Sequence, residues 1–402
     1  MEASNLVFIG FMGAGKTSAA RAAAGVLGVR AVDADHEIER RLGTTIEEYF
    51  STHGEAAFRA VEEEVVCGLL ERPVAPVVSL GGGAVTSERV RALLAQHTVV
   101  LLDVEIETAW RRAGNKRRPL ARDREGFVAL HAQRRPLYDS LADAVLLDSS
   151  RDEVRKAVHA LRSLSRAPAG TKLVWAPAAS GSYPVYLGEG LVGSAFWPVP
   201  GRRFVITDDE VGARYRVKDA TAELSMPAGE EHKTLATVEQ LLRGLAAAGM
   251  DHDDHVVALG GGVVGDVAGF CAAVYQRGVK VVQVPTTLVA QVDSAYGGKT
   301  GVDLPEGKNY AGAYHQPAAV MVDPSTMATL PQAELAAGWA EVIKTALIAG
   351  GPLWERVRAG APLDRDLVLA CARTRAPGRG RGPASRDRGR AATAPRPRSA
   401  RS

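Results

Sequence analysis

The sequence predicts an α/β protein in which a parallel sheet with helices on both faces is followed by a second α/β segment and an incomplete helical one. Short apolar runs alternate with helical stretches along both segments. Two unrelated glycine-rich motifs, G-F-M-G-A-G-K-T at 10–17 and G-G-G-V-V-G-D at 260–266, each follow an apolar run, as phosphate-binding loops follow strands. After Leu330 apolar residues recur at three- and four-residue steps, which is typical of helices.

These patterns divide the chain into five parts. We expect a first domain at 1–165, a linker at 166–172, a second α/β domain at 173–325, a partial helical domain at 326–374 and a tail at 375–402. The predicted strands of the first domain are 6–9, 77–80 and 99–102. Those of the second are 204–207, 256–259 and 281–284.

Composition narrows the class of protein. The chain is 46% hydrophobic, which is enough for packed cores. No signal peptide and no apolar run of membrane-spanning length is present, and the three cysteines lack paired spacing, so we expect a cytoplasmic protein without a membrane partner. Ten arginines but only one acid, Asp387, lie from Arg373 onward, so the rest of the chain is mildly acidic, which argues against general nucleic-acid binding.

The tail from about residue 375 is rich in arginine, proline and glycine and has no large apolar residue, so it cannot bury a core. A GC-rich coding region read in a shifted frame gives such a composition, and a natural disordered basic tail is the alternative interpretation. A third hypothesis makes the tail an arm that contacts RNA or DNA, but the tail lacks lysine and interleaved aromatic residues.

The first motif has the G-x-x-x-x-G-K-[ST] spacing of a nucleotide-binding P-loop. Its glycines let backbone N–H groups surround phosphate oxygens, while Lys16 reaches the outer phosphates and Thr17 offers a hydroxyl to Mg²⁺. This motif indicates a nucleotide but does not identify the acceptor.

Four further features indicate the acceptor. Asp33 and Asp35 follow the first helix, where carboxylates bind Mg²⁺ or take a hydroxyl proton, although loop or capping roles remain open. Arg59 lies in a helical stretch, where a solvated role is the alternative. Three glycines at 81–83 end an apolar run and permit close approach of a ligand. The basic segments N-K-R-R-P-L at 115–120 and R-R-P-L-Y at 134–138 complete the set.

Together these features resemble the shikimate kinase family over about 165 residues. The resemblance implies ATP-Mg as a substrate, with Thr17 as the Mg²⁺ ligand and Lys16, Asp35 and Arg118 as catalytic residues. The implied ATP-binding residues are Gly13, Ala14, Gly15, Lys16, Thr17, Ser18 and Arg118, and the implied shikimate-binding residues are Asp35, Arg59, Gly82 and Arg134. For the two basic segments the neighbours Arg117 and Arg135 are alternatives.

The second segment contains, in order, P-A-G-E-E-H-K at 227–233, the glycine motif at 260–266, a long motif at 284–302, G-K-N at 307–309 and A-E-V-I-K at 340–344. The set resembles the 3-dehydroquinate synthase family, which implies NAD⁺ and a divalent metal, usually zinc. The implied NAD⁺ contacts are Glu230, Lys233, Gly261, Gly262, Asp266, Thr286, Thr287, Asp293 and Ser294. The implied substrate contacts are Asp293, Lys299, Lys308, Asn309 and Lys344, with Lys299 and Lys344 catalytic and Glu341 as a zinc ligand.

One departure from this family concerns the metal. The family adds two histidines to the glutamate, whereas the last histidine of this chain is His315. Two hypotheses follow. In the first, the chain is a bifunctional enzyme of aromatic biosynthesis that phosphorylates shikimate and forms 3-dehydroquinate. In the second, it is a kinase whose second half is a non-catalytic NAD⁺-binding or dimerisation module. A homodimer through the second half is left open.

Overall fold

The computed structural model describes residues 4–72, 77–114, 123–178 and 180–375. Strands and helices alternate through its first half, as the sequence predicts. The elements are β1 Leu6–Ile9, α1 Lys16–Leu27, β2 Ala31–Asp33, α2 Ala34–Leu42, α3 Ile46–Leu70, β3 Val77–Ser79, α4 Glu88–Leu94, β4 Thr98–Leu102, α5 Ile106–Gly114, α6 Arg124–Leu141, β5 Ala144–Leu146 and α7 Arg151–Ser163.

The second half continues the alternation and ends in three helices. Its elements are β6 Lys172–Ala176, β7 Tyr183–Leu187, β8 Arg203–Asp208, α8 Asp209–Gly212, β9 Ala220–Met226, α9 Leu235–Ala247, β10 His255–Gly260, α10 Gly262–Val274, β11 Lys280–Pro285, β12 Lys299–Leu304, β13 Gly307–Tyr314, β14 Ala319–Val322, α11 Gln332–Ala349, α12 Gly351–Arg358 and α13 Arg365–Arg375. All six predicted strands are confirmed, with ends shifted by at most one residue.

Helices cover both faces of the first sheet. Along β1, Leu6 and Phe8 point into one apolar cluster with α1 and α7, while Val7 and Ile9 point into the opposite cluster with α3 and α6. Since successive side chains of a strand alternate between faces, a strand buried on both faces reads as a continuous apolar run. The predicted parallel sheet with helices on both faces is therefore confirmed for this half.

Both halves share one sheet. In the described ranges its twelve strands have the order β2-β3-β1-β4-β5-β6-β7-β14-β11-β10-β8-β9, and β12 and β13 form a separate ribbon. The join is the parallel pairing of β5 with β6, in which Val145 lies opposite Val174. The predicted linker at 166–172 lies between the two sequence patterns, but it does not interrupt the sheet, because its last residue, Lys172, begins β6. Without β6, β5 would be an edge strand with unpaired backbone groups.

The last helix packs against this junction. The buried face of α13 consists of Leu367, Val368, Cys371 and Ala372, and it lies in one apolar cluster with Val174 of β6 and Val185 of β7. This position brings the C-terminal end of α13 to the first half of the chain. Across the described ranges, no helix combines the length and the apolar character that crossing a membrane requires.

Candidate functional sites

The loop between β1 and α1 has the geometry of a phosphate cradle. Gly13 and Gly15 have φ of 79° and 92°, a region that favours glycine, and a Cβ atom on Gly13 would lie 2.2 Å from the carbonyl oxygen of Ala109. Gly15 is the N-cap of α1, so the helix begins at Lys16 and its positive end faces the loop. The loop can therefore bind phosphate with backbone N–H groups.

Lys16 is nearly buried, and its ammonium donates to the carbonyl oxygens of Gly10, at 2.9 Å, and Phe11, at 3.2 Å. Thr17 and Ser18 follow it at the mouth of the same cavity, whose volume is about 910 Å³. Arg112 and Arg151 also line this cavity, and Arg151 donates to the Ser18 hydroxyl at 3.1 Å. These two arginines were missed by the sequence reasoning because neither belongs to a local motif, although both place positive charge beside the loop.

Asp33 and Asp35 have different local roles. Asp33 is the N-cap of α2, where its carboxylate accepts from the backbone N–H of His36 at 3.3 Å and from the Ser79 hydroxyl at 3.0 Å. Asp35 lies in the first turn of α2 and lines the cavity. The capping interpretation thus describes Asp33, whereas Asp35 has the cavity position that a proton acceptor requires.

Arg59 reaches the same cavity from α3 and lies between two carboxylates. It donates to Glu55 at 3.1 Å and contacts Glu62, whose side chain is buried. Burial raises the pKa of Glu62, since contact with Arg59 offsets the lost hydration only in part and Asp35 adds repulsion. Glu62 was missed from the sequence, where a glutamate three residues after an arginine reads as a solvated helix pair.

The glycines at 81–83 line the cavity, and two of them lie against charged side chains of α3. A Cβ atom on Gly83 would lie 2.0 Å from Nη1 of Arg59, and one on Gly81 would lie 2.7 Å from Oε1 of Glu62. A Cβ on Gly82 would meet its neighbours at an ordinary 3.6 Å. Gly81 and Gly83 therefore leave room for the charged side chains of Glu62 and Arg59, and the predicted close approach of a ligand stays a prediction.

Arg134 completes the first site. It is 9% exposed, lies on α6, lines the cavity and donates to the Gly82 carbonyl oxygen at 3.3 Å, and the Tyr138 hydroxyl donates to the same oxygen at 2.6 Å. Burial raises the pKa of Tyr138 to about 12. Arg135, the alternative, points elsewhere and pairs with Asp103 and Asp139.

The cavity thus collects most of the residues singled out in the first half. The predicted residues that line it are Gly13, Gly15, Lys16, Thr17, Ser18, Asp35, Arg59, Gly82 and Arg134. Ala14, which belongs to the loop itself, is fully buried. The segment 115–120, with Arg118 and its alternative Arg117, lies outside the described residues, as does the tail after Arg375.

A second candidate site lies where β10 and β11 end. Gly261 is the N-cap of α10, and a Cβ atom on Gly262 would lie 3.2 Å from the Ser294 hydroxyl oxygen. Thr287 accepts from the backbone N–H of Ala290 at 3.3 Å. The Thr286 hydroxyl is buried and has no hydrogen-bond partner within the described part of the chain. A helix N-terminus beside small residues and an unsatisfied hydroxyl fits a dinucleotide such as NAD⁺.

Lys233 is the centre of a buried polar group beside that cradle. It is 4% exposed and donates to Asp266 and to the side-chain oxygen of Asn309, both at 2.6 Å. Burial raises the pKa of Asp266, and Lys233 opposes that effect. At the surface nearby, Lys308 pairs with Glu230 at 3.1 Å. The structure therefore connects three predicted residues through Lys233 and two more through the Lys308–Glu230 pair, but it leaves Lys299 exposed at the start of β12.

The predicted zinc ligand lies in a group of alternating charges. Glu341 and Lys344 are in contact on one face of α11, Lys344 pairs with Asp293 at 2.8 Å, and Arg375 at the end of α13 also contacts Asp293. Throughout the described ranges no three His, Cys, Asp or Glu side chains form a metal-binding group. His315, the last histidine, instead bonds the Val279 carbonyl oxygen. A protein zinc site needs at least three protein ligands, so the described residues do not form a zinc site on their own.

Two family models match separate parts of the chain. Residues 12–164 match the model described as shikimate kinase, and residues 223–337 match the model described as 3-dehydroquinate synthase N-terminal. The first match contains the cavity residues from Gly13 to Arg134, and the second contains Lys233, Gly261 and Thr286, whereas Glu341 and Lys344 lie beyond it.

Curated relatives match the second half. The 3-dehydroquinate synthase of Pseudomonas putida (strain W619) is 48% identical over 182 residues, which cover 42% of this chain and 50% of that protein. That of Azotobacter vinelandii (strain DJ / ATCC BAA-1303) is 50% identical over 182 residues, with the same coverage. The chain thus spans about half the length of the curated relatives it matches.

Among solved structures, shikimate kinase from Acinetobacter baumannii in complex with shikimate is 35% identical, with 40% of this chain and 93% of that chain covered and a TM-score of 0.38. A 2-deoxy-scyllo-inosose synthase complexed with carbaglucose-6-phosphate, NAD⁺ and Co²⁺ is 32% identical, with 45% and 52% covered and a TM-score of 0.42.

Proposed function

We propose, from the premise that this chain joins a shikimate kinase domain at residues 12–164 to the N-terminal domain of a 3-dehydroquinate synthase at residues 223–337, that its first half transfers a phosphoryl group from ATP to a shikimate hydroxyl. The observation that carries the proposal is a shared cavity. The P-loop residues Lys16 and Thr17 line it together with Arg59 and Arg134. A small anionic acceptor is bound best by guanidinium groups, which match a carboxylate with paired N–H donors.

Each residue then has a defined role. Lys16 exchanges its two carbonyl partners for the outer phosphate oxygens, and Thr17 holds the Mg²⁺ that enters with ATP. Asp35 accepts the proton of the attacking hydroxyl as the new O–P bond forms and the bond to ADP breaks. Arg59 and Arg134 orient the acceptor carboxylate, which matters because phosphoryl transfer depends on positioning and charge neutralisation.

The test is formation of ADP by the purified 402-residue chain in the presence and absence of shikimate. We expect turnover that requires shikimate, and we expect Lys16→Ala to lower kcat about 100-fold, the typical cost of losing a transition-state donor. Lys280→Ala, which removes an exposed lysine from β11, is the matched control and should leave turnover unchanged. ADP formation that is independent of shikimate would contradict the proposal.

For the second half we propose NAD⁺ binding at the end of β10 and, with a divalent metal, phosphate elimination and ring closure of a sugar-acid phosphate to 3-dehydroquinate. The cradle of Gly261 and Gly262, the unsatisfied Thr286 hydroxyl and the buried Lys233 support the nucleotide part. The described residues do not supply a ligand set for the metal, so we assign no step to it.

Phosphate release from that sugar-acid phosphate, with NAD⁺ and Zn²⁺ supplied and ATP omitted, tests the second activity. Release at an enzymatic rate supports the bifunctional proposal. NAD⁺ binding without release would instead favour the non-catalytic module, with the kinase as the working half. Both activities belong to chorismate biosynthesis at non-consecutive steps, so we propose no channelling between them.

We propose the cytoplasm as the location, since Cys67, Cys271 and Cys371 are buried free thiols and the cytoplasm keeps thiols reduced. A homodimer through the second half stays a prediction.

A further inference from the structure

Four charged side chains join the last helix to the first half of the chain. Arg135 of α6 donates from Nη1 and Nη2 to the Asp103 carboxylate, at 3.0 Å each, and from Nε to Asp139 at 2.7 Å. Arg373 of α13 donates to the other oxygen of Asp139 at 2.9 Å and to Asp103 at 2.8 Å. Two cations and two anions thus alternate in a closed ring, which we call the interhalf ion cluster.

The cluster is partly shielded from water. The side chains of Asp103 and Arg373 are 2% and 12% exposed, whereas those of Arg135 and Asp139 are 27% and 34% exposed. Burial lowers the pKa of Arg135, but the carboxylates of Asp103 and Asp139 outweigh it, so the pKa ends above its usual value. The buried Asp103 carboxylate distinguishes this cluster from solvated surface pairs, because removal of Arg373 takes away one of the two guanidinium groups in the cluster that offset its charge.

The cluster lies directly beside the acceptor residues of the first site. Arg134 and Tyr138, one turn apart on α6, both donate to the Gly82 carbonyl oxygen, and the cluster residues Arg135 and Asp139 are their immediate neighbours in the chain. The face of α6 that carries Arg134 and Tyr138 is therefore hydrogen-bonded to Gly82 in the cavity wall. The adjacent face is held by the interhalf ion cluster.

Pro136 lies between these anchors inside α6. Proline has no backbone N–H, so α6 lacks a helical hydrogen bond at this turn, and its alignment depends more strongly on side-chain contacts. Since Arg373 belongs to the second half, two of those contacts come from outside the kinase segment.

We propose that Arg373 is a positioning residue for the kinase reaction, because it holds α6 so that Arg134 meets the acceptor carboxylate. The inference rests on the proposed kinase function of the first half. Through Arg373, the second half of the chain would increase the affinity of the first site for shikimate, whether or not the second site is catalytically active.

Arg373→Gln in the full chain tests this role, with Arg365→Gln as the matched control on the same helix. Arg365 donates to the Gly170 carbonyl oxygen at 3.2 Å and does not belong to the cluster. We expect Arg373→Gln to raise KM for shikimate about three- to tenfold, while kcat and KM for ATP change less than twofold. Arg373→Lys keeps the charge but loses the paired donors, so it should recover part of the affinity.

A second readout separates this inference from the proposed function. Backbone hydrogen exchange of α6 in the ligand-free chain should be faster in Arg373→Gln and unchanged in Arg365→Gln. Unchanged exchange and an unchanged KM in Arg373→Gln would each overturn the positioning role. Absence of shikimate-dependent turnover in the wild-type chain would contradict the kinase proposal, and the exchange comparison would still decide whether Arg373 anchors α6.

Discussion

The guanidinium of Arg59 lies against the carboxylate of Glu62 one turn further along α3, and Glu62 is only 3% exposed. Both residues line the first cavity, and the ionisation of Glu62 makes the free energy of unfolding depend on pH. Burial raises the pKa of Glu62 above its ordinary value of 4.5 despite the contact with Arg59, so the folded chain holds the Glu62 proton more tightly than the unfolded chain does.

The first prediction concerns Glu62→Gln. Because the folded pKa is raised, the contribution of Glu62 to stability falls as pH rises from about 4.5 and levels off above the folded pKa. The variant lacks this titration, so its Tm relative to wild type should increase with pH across that window. Thermal unfolding between about pH 4 and pH 7 measures it. Glu64→Gln, which changes an exposed residue of the same helix, is the control. A Tm difference that does not vary with pH would rule the prediction out.

Gly83→Ala should displace the Arg59 guanidinium from the cavity and from its contact with Glu62. The new Cβ would lie 2.0 Å from Nη1, and the far end of a long side chain can move away. We therefore expect KM for shikimate to rise about tenfold, which corresponds to about 1.4 kcal/mol, with KM for ATP nearly unchanged. The Tm should fall below that of wild type, because the buried Glu62 carboxylate loses contact with its partner. Gly25→Ala in α1, where a Cβ meets nothing within 4 Å, is the control. If both variants bind shikimate equally well, Arg59 does not hold the acceptor.

Lys233→Met should destabilise the second half and leave the first site active. The substitution leaves the Asp266 carboxylate, which is about one-fifth exposed, without its ammonium partner. We expect a loss of about 2 kcal/mol, less than for a fully buried pair, together with weaker NAD⁺ binding. Denaturant unfolding and an NAD⁺ titration measure the two effects.

Two further variants show whether the loss of stability in Lys233→Met comes from the broken ion pair or from altered packing. Asp266→Asn placed on Lys233→Met removes the unpaired charge and should recover part of the stability. Lys308→Ala removes an exposed lysine that pairs with Glu230 and should have little effect. A double variant no more stable than Lys233→Met would show that the unpaired charge is not the cause.

His255 should make the second half of the chain less stable at acidic pH. It is fully buried, its Nε2 accepts from the Trp197 indole N–H at 2.8 Å, and burial lowers its pKa to about 4. The unfolded chain binds a proton near pH 6.5, so stability from this group should fall as pH drops from 6.5 to 4, by up to about 1.4 kcal/mol per pH unit. Unfolding followed by tryptophan fluorescence should show this slope in wild type and lack it in His255→Gln. The same slope in both proteins would assign it to another group.

The sequence was sufficient for features encoded within a few residues. Lys16 and Thr17 follow from loop spacing, and the six predicted strands follow from apolar runs bounded by turns. The pairing of β5 with β6 was not predictable in this way, because the break in sequence pattern at 166–172 suggested separate domains. Backbone pairing between edge strands depends on their placement in space, which local pattern does not encode.

Ion pairs between residues far apart in the chain could not be predicted from the sequence either. Arg373 and Asp103 lie 270 positions apart, and neither stands in a motif. Glu62 shows the same limit at short range, because its spacing from Arg59 was visible while its burial under Gly81 was not. Glu341 shows a related limit, because its contact with Lys344 could be expected from their spacing on α11, whereas the contact of Lys344 with Asp293 could not. The role of Glu341 as a metal ligand stays a prediction.

Thr286→Val is the sharpest test of the nucleotide cradle. A buried hydroxyl without a partner costs stability, so an isosteric methyl should leave the ligand-free chain as stable as wild type or more so. If the hydroxyl serves bound NAD⁺, the same change should weaken NAD⁺ binding about three- to tenfold, equivalent to the loss of a hydrogen bond of about 1 kcal/mol. Thr287→Val is the contrasting variant, because Thr287 accepts from the backbone of Ala290 and its loss should lower Tm. Unchanged NAD⁺ affinity in Thr286→Val would exclude its hydroxyl from the cofactor site.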